Sequence, residues 1–182
     1  MNEGLVPRRY AKALYGFALE KGVQERVYTM MKSLVASFAA NEGLQPTLAN
    51  PYVGVADKTE LLMTAASAEK TDAVYADFLK LLAENRRLDM ARDIALAYIG
   101  IYRKANGIHE VRVTSAYPLK PAESARLKAL VERHLGKNAV VEFSEAVNPE
   151  LIGGFTVAVG NERLDASLSN ELKQLRLNLS SK

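Results

Sequence analysis

The chain of 182 residues has no cysteine and no tryptophan, only two histidines, and no apolar run near the roughly 18 residues that a membrane span needs. Without cysteine there can be no disulfide and no thiolate metal site. Neither His109, beside a strand start, nor His134, near a helix end, has a second histidine or a carboxylate at ligand spacing, so no metal site is expected. The N-terminus lacks the basic-then-apolar layout of a signal peptide. The chain therefore reads as soluble, reaching a membrane only through partners.

Catalytic signatures are missing too. There is no G-x-x-x-x-G-K-[ST] loop, no G-x-G-x-x-G and no G-x-S-x-G elbow. The one glycine pair, Gly153-Gly154, has no helix N-terminus after it and no lysine where a phosphate loop needs one. Asp77, Glu84, Asp89 and Asp93 fall on polar helix faces or caps. No catalytic residue and no cofactor is expected, and an interaction protein is the better reading. The charge balance, 24 basic against 21 acidic residues, is spread through the same helices without a basic block. A nucleic-acid-binding or regulatory adaptor is the alternative, with the net charge of +3 as its support.

What is present is a change of hydrophobic period. Leu151 to Lys182 alternates at Phe155, Val157 and Val159 like a half-buried strand, and Gly160-Asn161 suits a hairpin turn into Glu162–Leu164. From Asp165 the period is helical, with Leu168, Leu172, Leu175 and Leu179 on one face and Asp165 or Ser167 as its cap. Upstream, the pattern predicts helices over Pro7–Lys21, Val23–Ala40 and about Glu42–Leu48, one from Asp57 with Leu61, Leu62 and Ala65 inward, one capped by Thr71 or Asp72, and a sixth from Asp89 to Asn106. Val111, Val113, Ser115 and Tyr117 alternate as a strand. Pro121 opens a helix whose Leu127, Leu130, Val131 and Leu135 share a face before Gly136, and Ala139–Phe143 is a second strand. The fold class is thus α+β, mostly α: an N-terminal six-helix bundle over residues 1–106, then a strand-helix-strand-hairpin-helix domain over 107–182.

Two helices have more apolar surface than one buried face uses. In the first, Tyr10, Ala13, Leu14 and Phe17 form one stripe and Ala11, Tyr15, Ala18 and Leu19 another. In the fifth, Val74, Tyr75, Phe78, Leu79, Leu81 and Leu82 exceed one stripe. One stripe of each can meet the core and the other a helix lying in a groove.

Four stretches, in order and spacing, carry a family likeness: RRYAKALYGFALEKG; ANP at Ala49–Pro51 with Lys58, Leu61 and Leu62; FLKLLAENRRLDMARDIALAYIGIYRKANGIHEVRVTSAYPL; and IGGF followed by GNERLDASLSNELKQL. Together they resemble the delta subunit of bacterial F-type ATP synthases, the counterpart of the mitochondrial oligomycin-sensitivity-conferring protein. Asn161 and Ser169 stand where that family commonly has an aspartate and an arginine. The resemblance implies a non-catalytic peripheral-stalk subunit at the cytoplasmic face of the bacterial inner membrane. It also implies two partners, the alpha subunit's N-terminal helix and the C-terminal ends of the b subunits. The alpha-subunit helix would sit between the first and fifth helices, against residues drawn from Tyr10, Ala13, Leu14, Phe17, Phe78, Leu79 and Leu82.

Overall fold

Helix α1 covers Leu5–Glu20, with Pro7 in its first turn, where a missing N–H costs nothing, and Gly22 at φ 69° just past its end. The computed structural model describes residues 4–69, 72–135, 140–160 and 162–180, of which 134 and 175–180 by backbone only. It divides the chain into two units, residues 1–103 and 104–182.

The first unit continues with α2 (Gln24–Ala40), α3 (Leu44–Ala49), α4 (Val55–Ala65) and α5 (Ala73–Glu84). A short 3-10 turn, Leu88–Met90, then leads into α6 (Ala91–Ala105). Helix α1 packs on α2 and α5, and α4 on α2 and α5. Their shared core includes Leu14, Val27, Met31, Leu34, Leu62, Tyr75, Leu79, Leu82, Ile94 and Tyr98. Two tyrosines in this core keep their polar ends paired: Tyr75 donates to the Leu62 carbonyl at 3.2 Å and Tyr98 to that of Gln24 at 3.1 Å. Burial pushes both phenols above their ordinary range.

Several sequence expectations shift here. Asp89 lies in the 3-10 turn before α6, not at its cap. Leu61 is exposed beside a hollow with Leu44, Thr47 and Ala65, while its neighbour Leu62 is fully buried. In α6 the inward residues are Ile94, Ala95, Tyr98, Ile99 and Tyr102, whereas Ala97 and Ile101, which the sequence pattern places inward with Ile94 and Tyr98, are only half-buried.

The second unit is a four-stranded sheet in the order β2-β1-β3-β4, from β1 (Ile108–Ser115), β2 (Val140–Val147), β3 (Gly154–Val159) and β4 (Glu162–Ser167). Strand β1 is parallel to β2, with Val111 opposite Phe143, and antiparallel to β3, with Val111 opposite Val159. The parallel pair needs a crossover, which α7 (Pro121–Leu135) supplies. Its Leu127, Val131 and Leu135 pack on Val111, Val113, Val157, Phe143 and Phe155. Leu130, expected on that face, is exposed, because 100° per residue carries it off the stripe that Leu127 and Val131 define.

Strand β4 runs to Ser167, three residues beyond Leu164, so Asp165 is a strand residue and not the helix cap. Helix α8 (Leu168–Ser180) is capped by Ser167, whose hydroxyl accepts from the Asn170 N–H at 3.3 Å. The hairpin residue Asn161, the helix stop Gly136 and the strand start Ala139 lie outside the described residues.

The glycine pair has a packing role. Between the 3-10 turn Pro149–Leu151 and β3, Ile152 sits at φ 64°, ψ −39°, with the Gly153 N–H bonded to the Leu151 carbonyl at 2.7 Å, a strained γ-turn for a β-branched residue. A Cβ on Gly153 would stand 2.6 Å from the Leu168 side chain, and one on Gly154, at φ 75°, would overlap the Ala166 carbonyl. Gly154→Ala is therefore expected to destabilise the second unit by at least about 2 kcal/mol, read as a lower urea midpoint for the sheet. An unchanged midpoint would contradict the close approach of β3 and β4.

Candidate helix-binding groove

Helices α1 and α5 run antiparallel. At one end the Arg87 guanidinium lies over the Tyr10 ring, 5.4 Å from its centroid. At the other, Phe17 shares a cleft of about 390 Å³ with Val74 and Asp77 of α5 and with Val27 and Met30 of α2. Between these ends α1 turns Ala11, Leu14 and Ala18 into the core. That leaves Tyr10, Ala13 and Phe17, at steps of three and four, on the outer side. On α5 the corresponding outer row is Val74, Asp77 and Leu81.

This arrangement sorts the seven residues singled out from sequence. Ala13 and Phe17 are exposed, Phe17 to 37%, and Tyr10 is half-buried under Arg87. Leu14, Phe78, Leu79 and Leu82 are buried in the first unit's own core, the last two completely. They form the wall behind the groove and not its surface. The residues that sequence reasoning did not assign to the site are Val74, Asp77 and Leu81, Leu81 being 43% exposed. The α5 periodicity contained the signal: Val74 and Leu81 are seven apart, two turns along one face.

Spare apolar surface is not confined to α1 and α5. Val55 and Leu61 on α4 and Leu96 on α6 are exposed as well. Leu61 borders the hollow described above, and Phe17, Val74 and Asp77 border the cleft that α1 and α5 share with α2.

Electrostatics fix the cleft's end. Arg26 of α2 donates from Nε and Nη2 to the two carboxylate oxygens of Asp72, at 3.1 and 3.0 Å, and Asp72 also accepts from the Glu69 N–H at 2.7 Å. Asp72 stands at the N-cap position of α5, yet its side chain makes no capping bond, since these partners turn it back toward α2. Thr71, the other cap considered, lies outside the described residues. The hydrogen bond from Arg26, with the Glu69 N–H, holds the Asp72 carboxyl below its ordinary value. The pair's stabilisation is thus in place at neutral pH and is lost as pH falls through that depressed pKa. Lys21, at the end of α1, lies over the Phe17 ring at 5.8 Å from its centroid.

Among the described residues no group of histidine and carboxylate side chains could hold a metal, and no helix is long and apolar enough to cross a membrane.

A family model described as "ATP synthase delta (OSCP) subunit" matches residues 6–179. A curated "ATP synthase subunit delta" from Parabacteroides distasonis is 38% identical over 179 residues, covering 98% of each chain. Another from Bacteroides thetaiotaomicron is 33% identical, covering 97% of this chain and 94% of that protein. Among solved structures, a chain of the Toxoplasma gondii mitochondrial ATP synthase hexamer superposes with a TM-score of 0.68 at 27% identity, over 95% of this chain and 96% of that one.

The division between wall and surface is testable by paired truncation. Leu79→Ala should cost about 2–5 kcal/mol of stability, whereas Leu81→Ala should stay within about 0.5 kcal/mol. Equal losses in chemical denaturation would refute the sorting.

Proposed function

The chain belongs to the ATP synthase delta (OSCP) subunit family and is a peripheral-stalk component of an F-type ATP synthase, and from that premise we propose how it works. The six helices of residues 1–106 form an antiparallel bundle that folds as a domain, and residues 107–182 form a second. The first domain receives the N-terminal helix of an alpha subunit of the catalytic head in the α1–α5 groove. The second holds the C-terminal ends of the b subunits, at the cytoplasmic face of the membrane. The work is mechanical and non-catalytic: the stalk restrains the head against rotor torque, so that proton flow drives ATP synthesis instead of turning the head.

The observation that supports this reading best is the row along α1 in which Ala13 and Phe17 are exposed and Tyr10 lies half-buried under Arg87, together with the cleft that Phe17 shares with Val74 of α5, where Leu81 is also exposed. A docked amphipathic helix anchors through residues at i, i+3, i+4 and i+7 and needs a small residue where the backbones approach. Ala13 provides one, between the larger Tyr10 and Phe17.

Ala13→Trp fills that gap from an exposed position. It should leave the melting temperature nearly unchanged while lowering affinity for a synthetic alpha-subunit N-terminal helix peptide by tenfold or more, about 1.4 kcal/mol. Unchanged affinity in calorimetry would remove Ala13 from the site. A fragment ending at Asn106 should retain cooperative helical unfolding by circular dichroism, because the core residues of α1–α6 all precede it. An unfolded fragment would sink the two-domain reading. In native membranes, a pull-down through this chain should recover alpha and b subunits together.

A further inference from the structure

A groove between two antiparallel helices is nearly symmetric to an incoming helix, which can lie in it in either of two directions with the same apolar anchors on the floor. Something must break that symmetry. At the cleft end the two lips differ in charge. The α1–α2 lip carries Lys21 and Arg26, and the α5 lip carries Asp72 and Asp77. Arg26 and Asp72 neutralise one another through their two hydrogen bonds. That leaves Lys21, whose contact is with the neutral Phe17 ring, and Asp77, which has no ion pair or hydrogen bond among the described residues. One uncompensated cation and one uncompensated anion thus face each other across an apolar floor of Phe17, Val27, Met30 and Val74.

On a helix seated by an apolar anchor, the residues either side of the anchor point roughly 100° to left and right. Reversing the helix in the groove exchanges those flanks. We propose that Asp77 and Lys21 set the direction of the docked helix: its flank beside α5 carries a lysine or arginine that pairs with Asp77, its flank beside α1 carries an acid that pairs with Lys21, and the reversed helix is rejected because like charges would then meet on both lips. This rests on the helix-in-groove reading given above and names the chemistry that reading requires of the partner. Apolar burial in the groove supplies the affinity, while the two lip charges supply the discrimination, since like-charge contacts at an interface penalise the wrong arrangement more than a surface pair rewards the right one.

The test uses the full chain and the alpha-subunit N-terminal helix peptide, with a spin label at the peptide's N-terminus. In the wild type the label should broaden backbone resonances at one end of the groove only, either beside Phe17 or beside Tyr10. Asp77→Lys, at an exposed site without a partner, should leave the melting temperature unchanged and weaken binding about tenfold or more, with a smaller loss for Lys21→Glu. The double variant Lys21→Glu/Asp77→Lys should bind the native peptide in the reversed direction, moving the broadening to the opposite end of the groove. If the wild type binds with one direction but Asp77→Lys binds equally well, or if the double variant leaves the direction of the native peptide unchanged, the direction-setting role is overturned and the groove stands. If the wild type does not bind the peptide at all, the groove reading itself fails.

Discussion

The first unit depends on how closely α1 can lie against its neighbours. Ala11 and Ala18 have no exposed surface and Leu14 almost none, so along this face the helix is seated through two methyl groups and a single long side chain. Close seating has two effects. It brings α1 against α2 and α5, and it turns the opposite row, Tyr10, Ala13 and Phe17, outward. A larger residue at Ala11 or Ala18 would push α1 away from α5 and cost about 1–3 kcal/mol of overpacking, closing the groove's geometry along with the core. Groove and core are therefore two sides of one helix, and a change that moves α1 alters both.

Aromatic packing locks α1 to the helices on its other side. The Tyr15 ring meets those of Tyr98 and Tyr102 edge-on at 5.9 and 6.4 Å, and Tyr102 stacks on Tyr28 at 4.2 Å. Through these contacts α6 and α2 hold α1 from the face that turns away from α5. Rings placed this way add directional preference to simple burial. A binding groove gains from that, because a wall that does not yield keeps the cost of ordering out of the binding step.

Much of this was legible in the sequence, and the limits have physical causes. Long periodic stretches such as Gln24–Ala40 and Ala91–Ala105 announce helices, and Gly22 and Gly107 mark ends that the positive φ values bear out. Boundaries failed where tertiary pairing overrode the local pattern: β4 continues to Ser167 because β3 offers partners as far back as Gly154, which no period within Asp165–Ser167 could reveal. At the groove, periodicity identified α1 and α5 but could not say which of two apolar rows faces inward. That choice is made by neighbours distant in sequence, so Leu14, Phe78, Leu79 and Leu82 share one period with Phe17 and Leu81 yet end on opposite sides. Asp77 read as an ordinary solvated carboxylate because a cleft formed with α1 and α2 leaves no trace within α5.

The strand order β2-β1-β3-β4 has a consequence for how the chain acquires its structure. The first unit combines contacts between successive helices, α1 on α2 and α4 on α5, with the longer-range packing of α1 on α5, and helical units as a class form quickly. In the second unit the central strand β1 finds its antiparallel neighbour only when Val159 reaches Val111, and its parallel neighbour only after α7 has turned the chain round. Loop closure must come before those contacts repay it. During synthesis β1 therefore emerges with both edges unpaired while the helices ahead of it are already complete, and its second edge waits until β3 has followed β2. Refolding should show a fast helical phase followed by a slower one reporting the sheet, and a single phase shared by both would contradict this order.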